Sequence, residues 1–201
     1  MIAIIDYGAG NIKSVEKALV KLGEEPILTG DPEKIIKADK LILPGVGSFG
    51  AAMDSLNKLS LSDAIREAVK RGTPLMGICL GLQLLFESSE ESPGVEGLSI
   101  LPGEIVKIPP AEGLKIPHMG WNSLKISENS RLLGHLKGEP YVYFVHSYYL
   151  KARDERIVSA TCEYGVTIHA AVESENVYAT QFHPEKSSET GLSILSEFLK
   201  L

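Results

Sequence analysis

Apolar residues follow two rhythms along this chain, short continuous runs and helical repeats, and their alternation predicts the elements. Met1 to Ile5 reads as a buried strand, followed by the loop Asp6-Tyr7-Gly8-Ala9-Gly10-Asn11. Ile12, Val15, Leu19 and Leu22 then recur on one helical face, and Gly23 closes that helix. Glu25 to Thr29 is a second strand, and Asp31-Pro32 caps the next helix with proline in its first position. Lys40 to Leu43 is a third strand emptying into Pro44-Gly-Val-Gly-Ser-Phe-Gly50. Two helical stretches follow, Ala51 to Leu59 and Asp63 to Arg71, the second ending at Gly72. A further apolar run, Pro74 to Ile78, reaches Cys79, and a helix continues from Leu82 to Glu87. Strands alternating with helices predict a doubly wound α/β fold.

The second half has a different grammar. Ser88 to Gly94 is polar and loop-like, with Glu90 and Glu91 reading as solvated surface. From Leu98 to Ile126 come short extended pieces broken by Pro102-Gly103, Pro109-Pro110 and Pro117. Pro140 to Leu150, Arg156 to Glu163, Val166 to Val172 and Val177 to Phe182 read as strands. Their short connections make several of them antiparallel. A closing helix, Thr190 to Leu201, buries Leu192, Leu195, Phe198 and Leu199. The expectation is one α/β domain over residues 1–201, a doubly wound mixed sheet flanked by helices, with an antiparallel C-terminal portion.

Composition narrows the function classes. The 201 residues carry a formal charge of −6 without basic clusters, which argues against nucleic acid or an anionic membrane as partner. No apolar run is long enough to span a bilayer. Met1 to Ile5 lacks a charged leader and meets Asp6 at once, so it reads as a strand, not a signal peptide, in a cytoplasmic chain. Cys79 and Cys162 are then free thiols, and Cys162, in an alternating stretch, reads as a small core residue. Gly8 and Gly10 lack the third glycine and the acidic residue of a dinucleotide fingerprint. The reading requires no cofactor and no metal.

Candidate chemistry centres on Gly77-Ile-Cys79-Leu-Gly81. A nucleophile at a strand-to-helix corner is held in a strained conformation, with little room on either side, so glycines two before and two after fit the sterics. There the thiol lies at a helix N-terminus, whose free N–H groups stabilise a thiolate and hold a developing oxyanion. The alternative is a buried structural cysteine between capping glycines. His183 and Glu185 flank Pro184 at a strand end; in extended chain they point the same way, setting a carboxylate beside an imidazole. Cys79, His183 and Glu185 are thus candidates for nucleophile, base and base-orienting group. Trp121, between glycine and asparagine in a turn-rich stretch, suits a surface contact.

These motifs, with Gln181-Phe-His-Pro-Glu185 and Pro44-Gly-Val-Gly47, resemble those of class I, triad-type glutamine amidotransferases. More narrowly, Tyr7 to Asn11, Pro44 to Gly50, Cys79 to Glu91, Pro117-His-Met-Gly-Trp-Asn122, Phe144 to Tyr148 and His183 to Ser187 are similar to the glutaminase-subunit family of imidazole glycerol phosphate synthases. Branches serving anthranilate or guanylate synthesis share the triad without the Trp121 block. The resemblance implies a flavodoxin-like amidotransferase fold and hydrolysis of glutamine through a Cys79 thioester, with Val46, Gly47 and Leu80 around the oxyanion. It implies glutamine contacts at Gly45, Gln83, Glu91, Ser147 and Tyr148. It also implies a heterodimer with a (β/α)₈ cyclase subunit, reached through Asn11, Ser14, Trp121, Tyr143 and Lys186, which receives the ammonia in histidine biosynthesis. Two other readings stand beside it: a free-standing γ-glutamyl cysteine hydrolase, and a redox module with Cys79 as a sensor thiol.

Overall fold

Strand β1 (Ile2–Ile5) is buried throughout, and its side chains divide between two cores. Ala3 and Ile5 face one side of the sheet, and Ile2 and Ile4 the other, as the period of two in a strand requires. The computed structural model describes residues 1–201. Around β1 run α1 (Ile12–Lys21), β2 (Ile27–Thr29), α2 (Pro32–Ile36), β3 (Lys40–Gly45), α3 (Phe49–Lys58), α4 (Leu61–Lys70) and β4 (Leu75–Cys79). Asp31 accepts from the Glu33 N–H at 2.9 Å, the cap anticipated for α2. After β4 come α5 (Leu80–Leu84), β5 (Ser88–Ser89), β6 (Gly103–Lys107), β7 (His118–Ser123), β8 (Lys125–Ile126), β9 (Tyr141–His146) and β10 (Tyr148–Ala152). The chain ends with β11 (Val158–Glu163), β12 (Thr167–Ser174), β13 (Val177–Thr180), a 3₁₀ turn at Pro184–Lys186 and α6 (Ser188–Lys200).

The main sheet has the order β2-β1-β3-β4-β13-β12-β11-β8. From β2 to β13 all neighbours are parallel, and from β13 outward they are antiparallel. Apolar clusters of 29 and 25 buried residues cover its two faces, so both are sealed, as a doubly wound sheet demands. The mixed α/β fold with its antiparallel C-terminal portion is as the sequence predicts.

Three departures have physical causes. The run from Pro140 to Leu150 is two strands in two sheets: β9 pairs with β7, while β10 pairs with β6. The chain changes sheets at Ser147, whose carbonyl accepts from the Ile108 N–H at 2.9 Å. The helix after Cys79 stops at Leu84, short of Glu87, because the carbonyls of Leu84, Leu85 and Phe86 accept instead from the returning Leu98–Leu101 segment. Trp121 lies within strand β7, not a turn, although it is exposed as anticipated. No helix is long and apolar enough to cross a membrane.

Candidate active site

Cys79 closes β4 and opens α5 with φ 56° and ψ −108°, a conformation that L-residues adopt only when the surroundings force it. The flanking glycines are sterically required. A Cβ at Gly77 would sit 2.8 Å from the Gly81 carbonyl oxygen, and one at Gly81 would overlap the Leu43 carbonyl. Gly45 pairs with Cys79 across β3 and β4, and a Cβ there would meet Leu80 and the Tyr7 hydroxyl at 2.8 Å. The corner is therefore built from three close backbone approaches.

The thiol opens into a cavity of about 320 Å³ lined by Val46, Gly47, Cys79, Leu80, Gln83, Glu91, Val145, His146, Ser147, Tyr148 and His183. That volume lies in the range of small-molecule sites, ~300–1,000 Å³, and the cavity lies at the carboxyl ends of β3 and β4, where open α/β sheets bind ligands. A larger concavity, about 600 Å³, is lined by Ser123, Glu128, Thr161, Cys162 and Glu163 among others. No histidine lines it beside its one thiol, and burial, with a smaller effect of Glu163, pushes the Cys162 pKa up to about 12. Chemistry therefore selects the smaller cavity.

His183 and Glu185 meet as the motif suggests, but by another geometry. Pro184–Lys186 is a 3₁₀ turn, and that turn, not an extended strand, brings Glu185 Oε1 to 2.8 Å from His183 Nδ1. Both side chains are almost wholly buried, and His183 Nε2 and Glu185 Oε2 have no protein partner. Burial opposes a charged imidazole here. The Cys79 sulfur and the Glu185 carboxylate more than offset it, holding the His183 pKa up at about 9. Tyr7, whose hydroxyl donates to the Pro44 carbonyl at 3.0 Å, has its own pKa raised by burial and then by Cys79.

Of the other anticipated residues, Val46, Gly47, Leu80, Gln83, Glu91, Ser147 and Tyr148 line the cavity, whereas Gly45 does not. Gly45 instead provides the close packing beneath the elbow. Val46 is exposed and Gly47 has φ +100°, while the Leu80 N–H stands at the first position of α5, without an intrahelical acceptor. Glu91 is not merely solvated: it accepts from the Phe49 N–H at 2.7 Å, and Glu90 accepts from the Lys107 N–H at 2.7 Å. On the neighbouring face Trp121 and Tyr143 are cross-strand partners with ring centroids 6.1 Å apart, and the Lys186 ammonium lies 5.9 Å from the Tyr143 ring. Asn11 accepts from the Ser14 hydroxyl at 2.8 Å at the start of α1, which packs against the Pro184–Lys186 turn.

Sequence reasoning assigned no site role to His146, Val145 or Gln181. His146 lies on the cavity wall, Val145 presents its carbonyl 3.8 Å from Cys79 Sγ, and the Gln181 amide nitrogen lies 3.7 Å from the same sulfur. Gln181 carried a signal, standing two residues before His183 in a strand end, where a fully buried polar side chain needs a partner. No group of acidic, histidine or cysteine side chains has the arrangement of a metal site.

The family model for class-I glutamine amidotransferases matches residues 3–201. The chain belongs to that family. Within this class-I amidotransferase family it also belongs with the imidazole glycerol phosphate synthase HisH subunits. It is 50% identical to the "Imidazole glycerol phosphate synthase subunit HisH" of Methanothermobacter thermautotrophicus over 201 residues, covering 100% of this chain and 98% of the relative. It is 51% identical to the HisH subunit of Geobacillus thermodenitrificans over 203 residues, covering 99% and 95%. A crystal structure described as a glutamine amidotransferase superposes with a TM-score of 0.78 at 22% identity, covering 100% of both chains. The Thermotoga maritima PurLQS structure gives 0.77 at 23% identity over 99% of this chain and 97% of that one. At such identities these structures speak for the amidotransferase fold.

Proposed function

We propose that residues 1–201 act as one amidotransferase domain, the glutaminase subunit of an imidazole glycerol phosphate synthase. The observation that carries the reading is the strained Cys79 facing the same cavity as an imidazole whose Nδ1 is held by Glu185 and whose Nε2 is unpartnered. Cys79 as thiolate attacks the side-chain amide carbon of glutamine. His183 hands a proton to the leaving nitrogen, ammonia departs, and water, deprotonated by His183, hydrolyses the thioester to glutamate. Glu185 keeps the imidazole in the tautomer with Nδ1 protonated and Nε2 toward the reacting atoms. The Leu80 N–H and a peptide N–H of Val46 or Gly47 receive the oxyanion. Gln83, Glu91 and the Ser147–Tyr148 backbone hold the substrate.

Ammonia released into water becomes ammonium, which has no lone pair for attack, so a synthase needs a sealed route to its second site. The partner is a (β/α)₈ cyclase subunit, docked as a heterodimer over Trp121, Tyr143, Lys186, Asn11 and Ser14. It uses the nitrogen to form imidazole glycerol phosphate and an aminoimidazole carboxamide ribotide, in the cytoplasm. Val46 is exposed and Gly47 left-handed, which fits an oxyanion segment with two backbone states whose balance the partner shifts.

The test is glutamate release from glutamine by the chain alone, with the cyclase subunit, and with that subunit plus its ligand, using Cys79→Ser as control. Weak activity alone that rises in the complex and vanishes in the variant is the expected result. Full activity alone, unmoved by the partner, identifies a free-standing hydrolase instead.

A further inference from the structure

Behind Cys79 a continuous series of hydrogen bonds runs from the sulfur to Asn122 in β7 and the Glu163 carbonyl in β11. The direction of each hydrogen follows from fixed acceptors. The Tyr148 carbonyl can only accept, and it receives from Gln83 Nε2 at 3.0 Å and His146 Nδ1 at 2.9 Å. With that nitrogen of Gln83 fixed as donor, its second contact, at 3.1 Å, must be to the carbonyl oxygen of Gln181. The other end of the Gln181 amide, facing Cys79 Sγ at 3.7 Å, is then the NH₂ group.

The same logic runs the other way. With Nδ1 of His146 protonated, its Nε2 accepts, at 3.0 Å, from Nδ1 of His118. His118 Nε2 then accepts from Asn122 Nδ2 at 3.3 Å, and that amide also donates to the Glu163 carbonyl at 3.0 Å. Gln181 is fully buried, and His118, His146 and Gln83 nearly so, so a lost link leaves a buried polar group short of a partner.

We propose that Gln181 is a catalytic hydrogen-bond donor to the Cys79 thiolate, its amide held the right way round by Gln83, whose own amide the Tyr148 carbonyl fixes as donor. A thiol has one proton to give, and here the Val145 carbonyl, 3.8 Å away, receives it. A thiolate has none and is the far stronger acceptor of the Gln181 N–H, a bond that becomes charge-assisted in the ionised state. The amide therefore favours the nucleophilic form without adding a charge. Gln181 follows the end of β13 and does not line the cavity, whereas Gln83, Glu91, Ser147 and Tyr148 do. Gln83 serves both: its two N–H groups are committed, and its Oε1, which makes no bond within the protein, remains for substrate. The ionisable groups facing Cys79 are His183, His146, Tyr148 and Glu91 on the cavity wall, Tyr7 beneath it, and Glu185 behind His183.

The consequence for turnover rests on the glutaminase reading above; the effect on the thiol does not. The experiment is therefore alkylation of the full chain by iodoacetamide between pH 5 and 10, read on the Cys79 peptide, for wild type, Gln181→Met and Gln181→Glu. The expected result is a reactivity midpoint displaced to alkaline pH, by about one unit in Gln181→Met, equivalent to roughly a tenfold loss of thiolate, and by more in Gln181→Glu. A tenfold or greater fall in kcat in the cyclase complex accompanies it. Superimposable alkylation profiles overturn the proposal. Displaced profiles in a chain that releases no glutamate under any condition retain it and refute the glutaminase reading. If neither variant folds, the side-chain amide resonance of Gln181 in the wild-type chain decides: it moves as Cys79 ionises and stays still in Cys79→Ser, and its failure to move overturns the proposal.

Discussion

His183 Nδ1 and Glu185 Oε1 are 2.8 Å apart across a single proline, in a turn that buries both side chains. Removing the carboxylate's charge leaves an imidazole with no fixed tautomer in a dry site. Glu185→Gln is expected to reduce kcat on the order of 10²–10⁴-fold in the cyclase complex, with a smaller change in KM. Steady-state kinetics on the folded variant checks this, and a loss under tenfold would sink the orienting role.

The raised His183 pKa has a consequence for stability. The folded chain favours the imidazolium, so its contribution is fully present below the ordinary value of 6.5 and is lost as pH rises through about 9. His118 and His146 behave oppositely: burial lowers their pKa values to about 4 and about 3, with His118 and His183 adding to the effect on His146. Their contribution is present above 6.5 and lost as pH falls through the folded values. Unfolding free energy should therefore fall from pH 7 toward pH 4. His118→Gln should shallow that slope by about one proton, measured by denaturant titrations at several pH values. An unchanged slope would mean that His118 is already charged in the folded state.

Much of the site was legible because short-range sterics wrote it. Gly77 and Gly81 flank the cysteine since no Cβ fits there, and the elbow could be read from their spacing alone. The inner parallel strands β1 and β4 were equally plain, since they are sealed on both faces and read as apolar runs. What escaped depends on distant partners. Nothing local in Tyr141–Ala152 marks Ser147 as the point where the chain changes sheets, because both halves have strand composition. Glu90 and Glu91 look solvated until the Lys107 and Phe49 N–H groups arrive from elsewhere in the chain. The Gln181 contact with Cys79 spans 102 residues and has no signature beyond a polar residue in a buried strand end.

Two glycines near the thiol should respond differently to the same substitution. Gly81→Ala drives a methyl into the Leu43 carbonyl, backbone against backbone, and should cost about 3 kcal/mol or more of stability. Gly47→Ala meets no atom within 4 Å but must hold φ +100°, a strain of about 1–3 kcal/mol that the exposed segment can relieve by changing conformation. The expected outcome is a folded Gly47→Ala chain with a melting temperature within a few degrees of wild type and a Val46–Gly47 segment displaced from its resting state, so that, on the proposed oxyanion role of that segment, glutaminase activity no longer depends on the cyclase ligand in the same way. Thermal melts separate the two variants, and activity with and without that ligand tests the second claim.

The exposed Trp121 is joined to His183 through strand β9. Its partner Tyr143 accepts, through its carbonyl, from the His183 N–H at 2.9 Å, and the Tyr143 N–H donates to the Ser187 hydroxyl at 2.9 Å. A tryptophan half exposed on a two-stranded sheet, edge-on to a tyrosine and near a lysine, has the character of a hot spot at a protein interface. Trp121→Ala should weaken cyclase binding by about 2 kcal/mol or more, roughly thirtyfold in Kd. The alkylation rate of Cys79 in the free chain should not change, because that side chain touches neither the cavity nor its hydrogen-bond chain. Titration calorimetry with the cyclase subunit and an alkylation time course test the two halves separately. Binding within threefold of wild type would move the docking surface elsewhere, and altered alkylation would show that the Trp121 side chain supports the site directly.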